Sequence, residues 1–212
     1  MVSIVPTITA GEPHAYREQM ERVEPFAHRV HIDVSDGVLA PRKLIELDKL
    51  WWKGNVLADL HMMYQKPFEH TDLILALHPN LVIVHAEALG DFFSFAYQMH
   101  LHGIEVGVAL LPQTAVSKIK SALGNIDHVL IFSGNLGYQG GSEADLSLLD
   151  KAKELRELKP TLEIGWDGGV NDQNARQLAE GGVDVLNTGG FVHHAENPGD
   201  AYAKLKEVTQ DL

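Results

Sequence analysis

Four side chains combine the residue types and the spacing that acid/base chemistry beside a metal ion requires. His31 and Asp33 lie two apart in RVHIDVSDG, His61 lies in ADLHMM, and Asp167 lies in IGWDGGV. Each lies at or near the end of a short apolar run that predicts a β-strand. Imidazole nitrogen and carboxylate oxygen suit Zn²⁺, Fe²⁺, Mn²⁺ or Co²⁺. The set predicts one divalent metal site with two proton-transferring carboxylates; the alternative is four separately hydrogen-bonded polar residues.

The elements that must position these residues alternate between strands and helices. Eight strands are predicted, at residues 2–8, 29–34, 56–61, 81–85, 105–110, 128–133, 162–167 and 184–188. Helices are predicted at 13–26, 43–51, 68–77, 91–102, 115–123, 144–158, 171–180 and 198–208. Most of the strands are near-continuous apolar runs, as expected for parallel strands buried on both faces. We therefore expect an α/β fold, a (β/α)8 TIM barrel, formed by a single domain over residues 1–212.

The main alternative to a barrel is an open, doubly wound sheet. No Gly-x-Gly-x-x-Gly follows the first strand, which argues against a dinucleotide-binding sheet. A (β/α)8 barrel carries its active site at the carboxyl ends of its strands. Polar residues collect at those ends in this sequence: Thr7, Asp33, His61, His85, Glu87, Ser133, Asp167 and Thr188. Of these, His85 and Glu87 are open to two interpretations, as groups that orient metal ligands or as an ordinary polar cluster.

Charge and composition limit the partners of the chain. The net charge of −12 argues against a nucleic-acid partner, because neutralising phosphates needs a basic surface. No apolar run approaches the about 20 residues that span a bilayer, so no membrane partner is expected. The chain has no cysteine, which excludes disulfides and thiolate metal sites. The first residues read as a strand and not as a signal peptide, and a cytoplasmic location is expected.

Three glycine-rich segments follow the last three predicted strands. They cover residues 134–142, 167–171 and 188–190. Glycine lets backbone N–H groups approach an anion closely, and barrels of this kind often bind phosphate with their last loops. The segments predict a phosphate site, and hence a small phosphorylated ligand.

Several segments carry a resemblance to a known family. HIDVSDG resembles the His-x-Asp-Val-Met-Asp-Gly segment of the ribulose-phosphate 3-epimerase family, and GWDGGVN resembles its Val-Asp-Gly-Gly-Val-Asn segment. ADLHMM and VHAEA are similar to its His-Leu-Met and His-x-Glu-Ala segments. The resemblance runs from VPTITA to TGGFVHHAENP, nearly the whole chain.

The resemblance implies an activity and a set of site residues. The implied reaction inverts C3 of D-ribulose 5-phosphate to give D-xylulose 5-phosphate through a metal-stabilised enediolate. Asp33 and Asp167 would be the acid/base pair, and together with His31 and His61 they would be the metal ligands. The implied substrate and phosphate contacts are Thr7, Met63, Gly140, Gly169, Gly189 and Gly190. The family also implies a homo-oligomer.

The sequence departs from the family pattern around the expected sugar. Ser35 replaces a methionine, Phe132-Ser133-Gly134 replaces Met-Thr-Val, Thr7 replaces a serine, and the glutamine of the glycine loop is shifted or lost. In the family, those methionines form an apolar cap over the sugar. The departures, together with HHAENP, leave open an allulose 6-phosphate (hexulose-6-phosphate) 3-epimerase or a non-catalytic sugar-phosphate-binding relative.

A decarboxylase or hexulose-phosphate synthase of the orotidine-phosphate decarboxylase kind is a further alternative. Such enzymes carry an Asp-x-Lys-x-x-Asp array after the third strand. Here His61 stands two residues after Asp59, where the lysine would be. The sequence therefore favours the epimerase interpretation.

Overall fold

Eight parallel strands close into a barrel in the computed structural model, which describes residues 2–210. The strands are β1 Ser3–Thr9, β2 Arg29–Ser35, β3 Leu57–Met63, β4 Leu81–His85, β5 Glu105–Leu110, β6 His128–Phe132, β7 Glu163–Asp167 and β8 Val185–Thr188. Consecutive strands pair in chain order, and β8 pairs with β1 to complete the ring. This confirms the predicted (β/α)8 TIM barrel.

Helical segments separate the strands and cover the outside of the barrel. Within residues 2–210 the α-helices are α1 Pro13–Val23, α2 Thr71–Leu77, α3 Phe92–Leu101, α4 Leu149–Leu158, α5 Ala175–Glu180, α6 Gly190–His193 and α7 Pro198–Val208. Short 3-10 segments lie at Leu47–Lys49, Pro67–His70, Val116–Asn125 and Leu146–Leu148. In the part of the chain described, no helix is long and apolar enough to cross a bilayer.

The predicted helix at 43–51 was wrong. Only Leu47–Lys49 forms a 3-10 turn there. The backbone N–H of Leu44 donates to Ser35 O, and that of Ile45 donates to Ala10 O. The backbone is extended at Glu46 and at Leu50, with ψ 147° at both, so the helical turn cannot continue beyond Leu47–Lys49 in either direction.

The predicted helix at 115–123 is a run of 3-10 turns over Val116–Asn125. Val116, Ile119 and Ala122 are three residues apart, and all three pack on the core. A period of three aligns such side chains on one face of a 3-10 segment, whereas an α-helix has a period of 3.6. The sequence prediction therefore located the element correctly and assigned the wrong helix type.

The side chains inside the barrel form layers, because alternate residues of each strand point inward. Leu81, Ile83, Ala109 and Leu130 form a small apolar cluster separate from the main core, which lies between strands and helices. Below it, at the amino ends of the strands, the Arg29 guanidinium pairs with Glu163 at 2.9 Å and with Asp59 at 2.6 Å. The carboxyl ends of the strands hold the histidines and carboxylates of the site.

Candidate active site

Strand register brings the four predicted metal-site residues together at the carboxyl end of the barrel. Asp33 of β2 lies opposite His61 of β3, and His31 precedes Asp33 by two residues on the same face. Asp167 ends β7 across the mouth of the barrel. One ligand atom from each of the four residues lies within 4.8 Å of all the others.

The distances inside the cluster suit a shared cation. Asp33 Oδ1 lies 2.8 Å from His61 Nδ1 and 3.4 Å from His31 Nε2. Asp167 Oδ2 lies 3.9 Å from the same His31 nitrogen. Both His31 nitrogens are buried, and neither has a hydrogen-bond partner among the described residues. Buried polar atoms are rarely left without a partner. His31 Nε2, which faces the Asp33 and Asp167 carboxylates, therefore fits a divalent metal site.

Burial and mutual charge perturb the two carboxyl groups in opposite directions. Burial acts to raise the pKa of Asp33, but the nearby His31 and the hydrogen-bonded His61 outweigh it and hold the pKa below its usual range. For Asp167, burial and the nearby Asp33 charge both act upward and raise the pKa to about 7. Perturbed carboxyl groups facing a cavity are typical of catalytic sites.

Thr9 also belongs to this site, although the sequence analysis did not select it. Its hydroxyl donates a 2.7 Å hydrogen bond to Asp33 Oδ2, the oxygen that does not face His61. Thr9 follows Thr7 by two residues on β1, so both side chains face the barrel interior. That alternation was the one signal that could have identified it from the sequence.

A cavity of about 240 Å³ opens above the carboxylates. Asp33 and Asp167 lie on its wall. All six predicted substrate and phosphate residues also line it: Thr7, Met63, Gly140, Gly169, Gly189 and Gly190. The Thr7 hydroxyl is buried there without a hydrogen-bond partner in the described residues, which leaves it available to a ligand.

Close backbone approach explains why glycine occupies the loops around this cavity. Gly169 has φ +72°, and a Cβ built on it would lie 2.5 Å from the carbonyl carbon of Glu143. The loops after β6 and β7 therefore touch through bare backbone at this point. Gln139 secures the β6 loop to β1, because its Nε2 donates to Thr7 O at 2.9 Å.

The departures from the family pattern have different structural consequences. Phe132 lines the cavity, and its ring centroid lies 5.8 Å from that of His61. Ser35 is buried, and its Oγ accepts a hydrogen bond from the backbone N–H of Gly37. Ser133 Oγ accepts from the backbone N–H of Asp145. Of these three side chains, only Phe132 reaches the cavity wall.

His194 also belongs to this site, although the sequence analysis did not select it. It lines the cavity, with its ring against Gly140 and Gly190. Among residues 2–210, no Lys or Arg contributes to the wall. An anion there would meet backbone N–H groups and the imidazole of His194.

Comparisons with known proteins agree with this geometry. A model of the ribulose-phosphate 3 epimerase family matches residues 3–193. The chain is 28% identical over 218 residues to the ribulose-phosphate 3-epimerase of Helicobacter pylori strain J99, covering 100% of both chains. It is 27% identical over 215 residues to that of Bacillus subtilis strain 168, covering 97% of this chain and 99% of the relative.

Solved structures share the fold at lower identity. The 3-hexulose-6-phosphate synthase from Salmonella typhimurium superposes with a TM-score of 0.73 at 16% identity, covering 99% of both chains. Orotidine 5'-monophosphate decarboxylase from Sulfolobus solfataricus gives a TM-score of 0.69 at 12% identity, covering 100% of this chain and 99% of the other. At such identities these likenesses establish the barrel fold alone.

Proposed function

Because the chain belongs to the ribulose-phosphate 3-epimerase family and is a ketose-phosphate epimerase, we propose that it interconverts D-ribulose 5-phosphate and D-xylulose 5-phosphate. The observation that carries this proposal is the pair Asp33 and Asp167 on the wall of one cavity, next to two buried histidines. Inverting a carbon next to a carbonyl requires an acid and a base on opposite faces of the substrate.

The phosphate group would bind at the glycine side of the cavity. The backbone N–H groups around Gly140, Gly169, Gly189 and Gly190 would hold it, as loops after the late strands do in barrels of this kind. The sugar would then extend toward Asp33 and Asp167. Thr7 and Met63 would contact the sugar, and Phe132 would cover it, so that the reacting carbon is shielded from water.

His31, Asp33, His61 and Asp167 would hold one divalent metal ion. Bound there, the ion would polarise the C2 carbonyl and stabilise the negative charge that develops when C3 loses its proton. The family and the donor set fit Zn²⁺, Fe²⁺, Mn²⁺ or Co²⁺. Thr9 would fix the second oxygen of Asp33 by its hydrogen bond.

The two aspartates would move the protons. A carboxylate oxygen of one removes the C3 proton from one face, and the carboxyl group of the other delivers a proton to the opposite face. Because the two sugars interconvert, the aspartates exchange these roles in the reverse direction.

Single amide substitutions at the two aspartates test this assignment. Asp33→Asn and Asp167→Asn should each lower kcat for D-ribulose 5-phosphate by at least about 100-fold, the lower range for a lost acid or base. Asp150→Asn on the exposed face of α4 is the matched control and should behave as wild type. Full activity in either site variant, with folding checked by circular dichroism, would refute the proposal.

An allulose 6-phosphate substrate is the second candidate. The HHAENP segment favours it by its resemblance to the allulose 6-phosphate 3-epimerase branch, and its His194 lies on the cavity wall against Gly140 and Gly190. Comparing kcat/KM for D-ribulose 5-phosphate and D-allulose 6-phosphate decides between them. A higher value for the hexulose would replace the pentulose in the proposal and leave the reaction class unchanged.

We also propose that the chain forms a homo-oligomer. Helix α3 exposes Phe93, Tyr97 and Leu101, which are four residues apart and share one face. An exposed apolar stripe of this kind favours burial against another chain. Sedimentation of the wild type and of Tyr97→Glu tests this, and a wild-type monomer would contradict it.

A further inference from the structure

A second buried histidine lies directly behind His61, on the side away from the aspartates. His85, at the end of β4, places its Nε2 2.9 Å from His61 Nε2, and the two rings stack with centroids 5.0 Å apart. The other nitrogen of His85, Nδ1, lies 3.9 Å from Glu87 Oε2. Neither of these two atoms has a hydrogen-bond partner among the described residues. A line of polar groups therefore runs from Asp33 through both histidines to Glu87.

The opposite oxygen of Glu87 is held firmly. Thr114 Oγ1 donates to Glu87 Oε1 at 2.6 Å, and Lys118 Nζ lies 3.3 Å from the same atom. With Oε1 bound to two donors, Oε2 is the oxygen that faces His85. The 3.9 Å separation exceeds a hydrogen bond, so at this distance Oε2 acts on His85 Nδ1 through its charge.

The positions of the protons along this line depend on each other. Of the two facing Nε2 atoms, one must donate and the other accept. His61 can offer the lone pair of Nδ1 to a metal only when its own proton is on Nε2, and His85 Nε2 must then accept that proton's hydrogen bond. His85 must therefore carry its proton on Nδ1, the atom that faces Glu87. A carboxylate accepts hydrogen bonds and donates none, so Glu87 stabilises this form.

We propose that His85 and Glu87 are positioning residues that keep the proton of His61 on Nε2, so that Nδ1 of His61 is available to a metal ion. This inference rests on the proposed metal site. Asp33 Oδ1, 2.8 Å from His61 Nδ1, attracts the same proton from the other end of the line. Glu87, acting through His85, opposes that attraction, as carboxylates behind metal-binding histidines do in other sites.

Substituting Glu87 by glutamine should reverse the order of the protons. Thr114 and Lys118 both donate, so they hold the amide oxygen on their side and turn the amide NH₂ toward His85 Nδ1. His85 then accepts at Nδ1 and donates from Nε2, which drives the proton of His61 onto Nδ1. The affinity of Glu87→Gln for Zn²⁺ alone, measured by competition with a chelator, should fall by about 10- to 100-fold.

Two further variants complete the design. Glu69→Gln is the matched control, since Glu69 is exposed and its Oε1 lies 3.2 Å from Lys66 Nζ. It should leave Zn²⁺ affinity unchanged. The amide oxygen of His85→Gln can accept from His61 Nε2 without help from Glu87. Adding Glu87→Gln to the His85→Gln variant should therefore change Zn²⁺ affinity by less than about twofold, although Glu87→Gln alone weakens Zn²⁺ binding.

Nitrogen-15 NMR of the zinc-loaded protein reads the protonated nitrogens directly. The inference expects His61 protonated on Nε2 and His85 on Nδ1 in the wild type. His85 protonated on Nε2, or a Glu87→Gln affinity within about twofold of wild type, would overturn it. The wild-type spectrum decides the question if Glu87→Gln does not fold.

The inference and the proposed function fail in different ways. Weakened Zn²⁺ binding in Glu87→Gln, without turnover of either ketose phosphate by the wild type, would refute the proposed reaction and keep the inference. Normal turnover by the wild type, together with an unchanged Zn²⁺ affinity in Glu87→Gln, would refute the inference and keep the proposed reaction. A wild type that binds no Zn²⁺ would overturn the inference together with the metal site.

Discussion

Adding one methyl group at Gly169 tests the proposed phosphate loops. Gly169 has φ +72°, and the new Cβ would lie 2.5 Å from the carbonyl carbon of Glu143 and closer still to the backbone nitrogen of Ala144. Ordinary contact begins near 3.4 Å, so the 143–144 backbone must move by about 1 Å. The loop that carries the proposed phosphate contacts would move with it.

The size of the effect follows from the contacts that would be lost. A hydrogen bond to a charged group contributes about 1.5 to 3 kcal/mol. Losing one to the phosphate would raise KM by about 10- to 150-fold, at about 1.4 kcal/mol for each factor of ten. Because the aspartates are not altered, kcat should change much less than KM.

Gly103 supplies the control for backbone strain. It also has φ +72°, and a Cβ there would meet nothing within 4 Å. Gly103→Ala and Gly169→Ala share the left-handed penalty of about 1 to 2 kcal/mol in unfolding free energy. The assay is the KM for D-ribulose 5-phosphate of both variants, with urea unfolding alongside. A KM for Gly169→Ala that matches that of Gly103→Ala would refute the reasoning about these loops.

Three further predictions concern the ion pairs below the barrel and the support of Asp33. Arg29→Met should lower the unfolding free energy in urea by about 3 to 5 kcal/mol, because buried Asp59 loses its cation; a loss below about 1 kcal/mol would contradict this. Burial acts to raise the pKa of Glu163, but hydrogen bonds from Arg29 and His128 outweigh it and lower the pKa. Its stabilisation is thus fully present above the unfolded value of about 4.3 and is lost as the pH falls below it. In Glu163→Gln the unfolding free energy should therefore fall less steeply with decreasing pH than in the wild type. A decrease as steep as in the wild type would contradict this. Thr9→Val should lower kcat/KM by about 10-fold or more through loss of its bond to Asp33, with Thr9→Ser restoring activity; equal rates in both variants would count against the bond.

The strands and the cluster of two histidines and two aspartates could be predicted because their signals are local. Runs such as VLIF and LVIV mark buried parallel strands, and strand ends in a barrel converge at one face. His31 and Asp33, two apart on β2, had to share that face whatever the register. The approach of His61 to Asp33 then followed from pairing consecutive strands.

The remaining features depend on contacts that a sequence does not display. Extended backbone at Glu46 and Leu50 interrupts the predicted helix at 43–51, where Leu44 and Ile45 bond to residues elsewhere in the chain. His194 lines the cavity against Gly140, a residue of the β6 loop far away in the sequence. The stacking of His61 on His85 depends on the register of β3 against β4, which pairs His61 with Ile83, two residues before His85.

Proton NMR of D-ribulose 5-phosphate in deuterated water, with the purified protein, tests the central claim most directly. We expect deuterium to enter at C3 as D-xylulose 5-phosphate appears. A chelator should stop both, and Zn²⁺, Fe²⁺, Mn²⁺ or Co²⁺ should restore them. Xylulose 5-phosphate without deuterium at C3, or turnover that a chelator leaves untouched, would contradict proton transfer by Asp33 and Asp167 at a metal site.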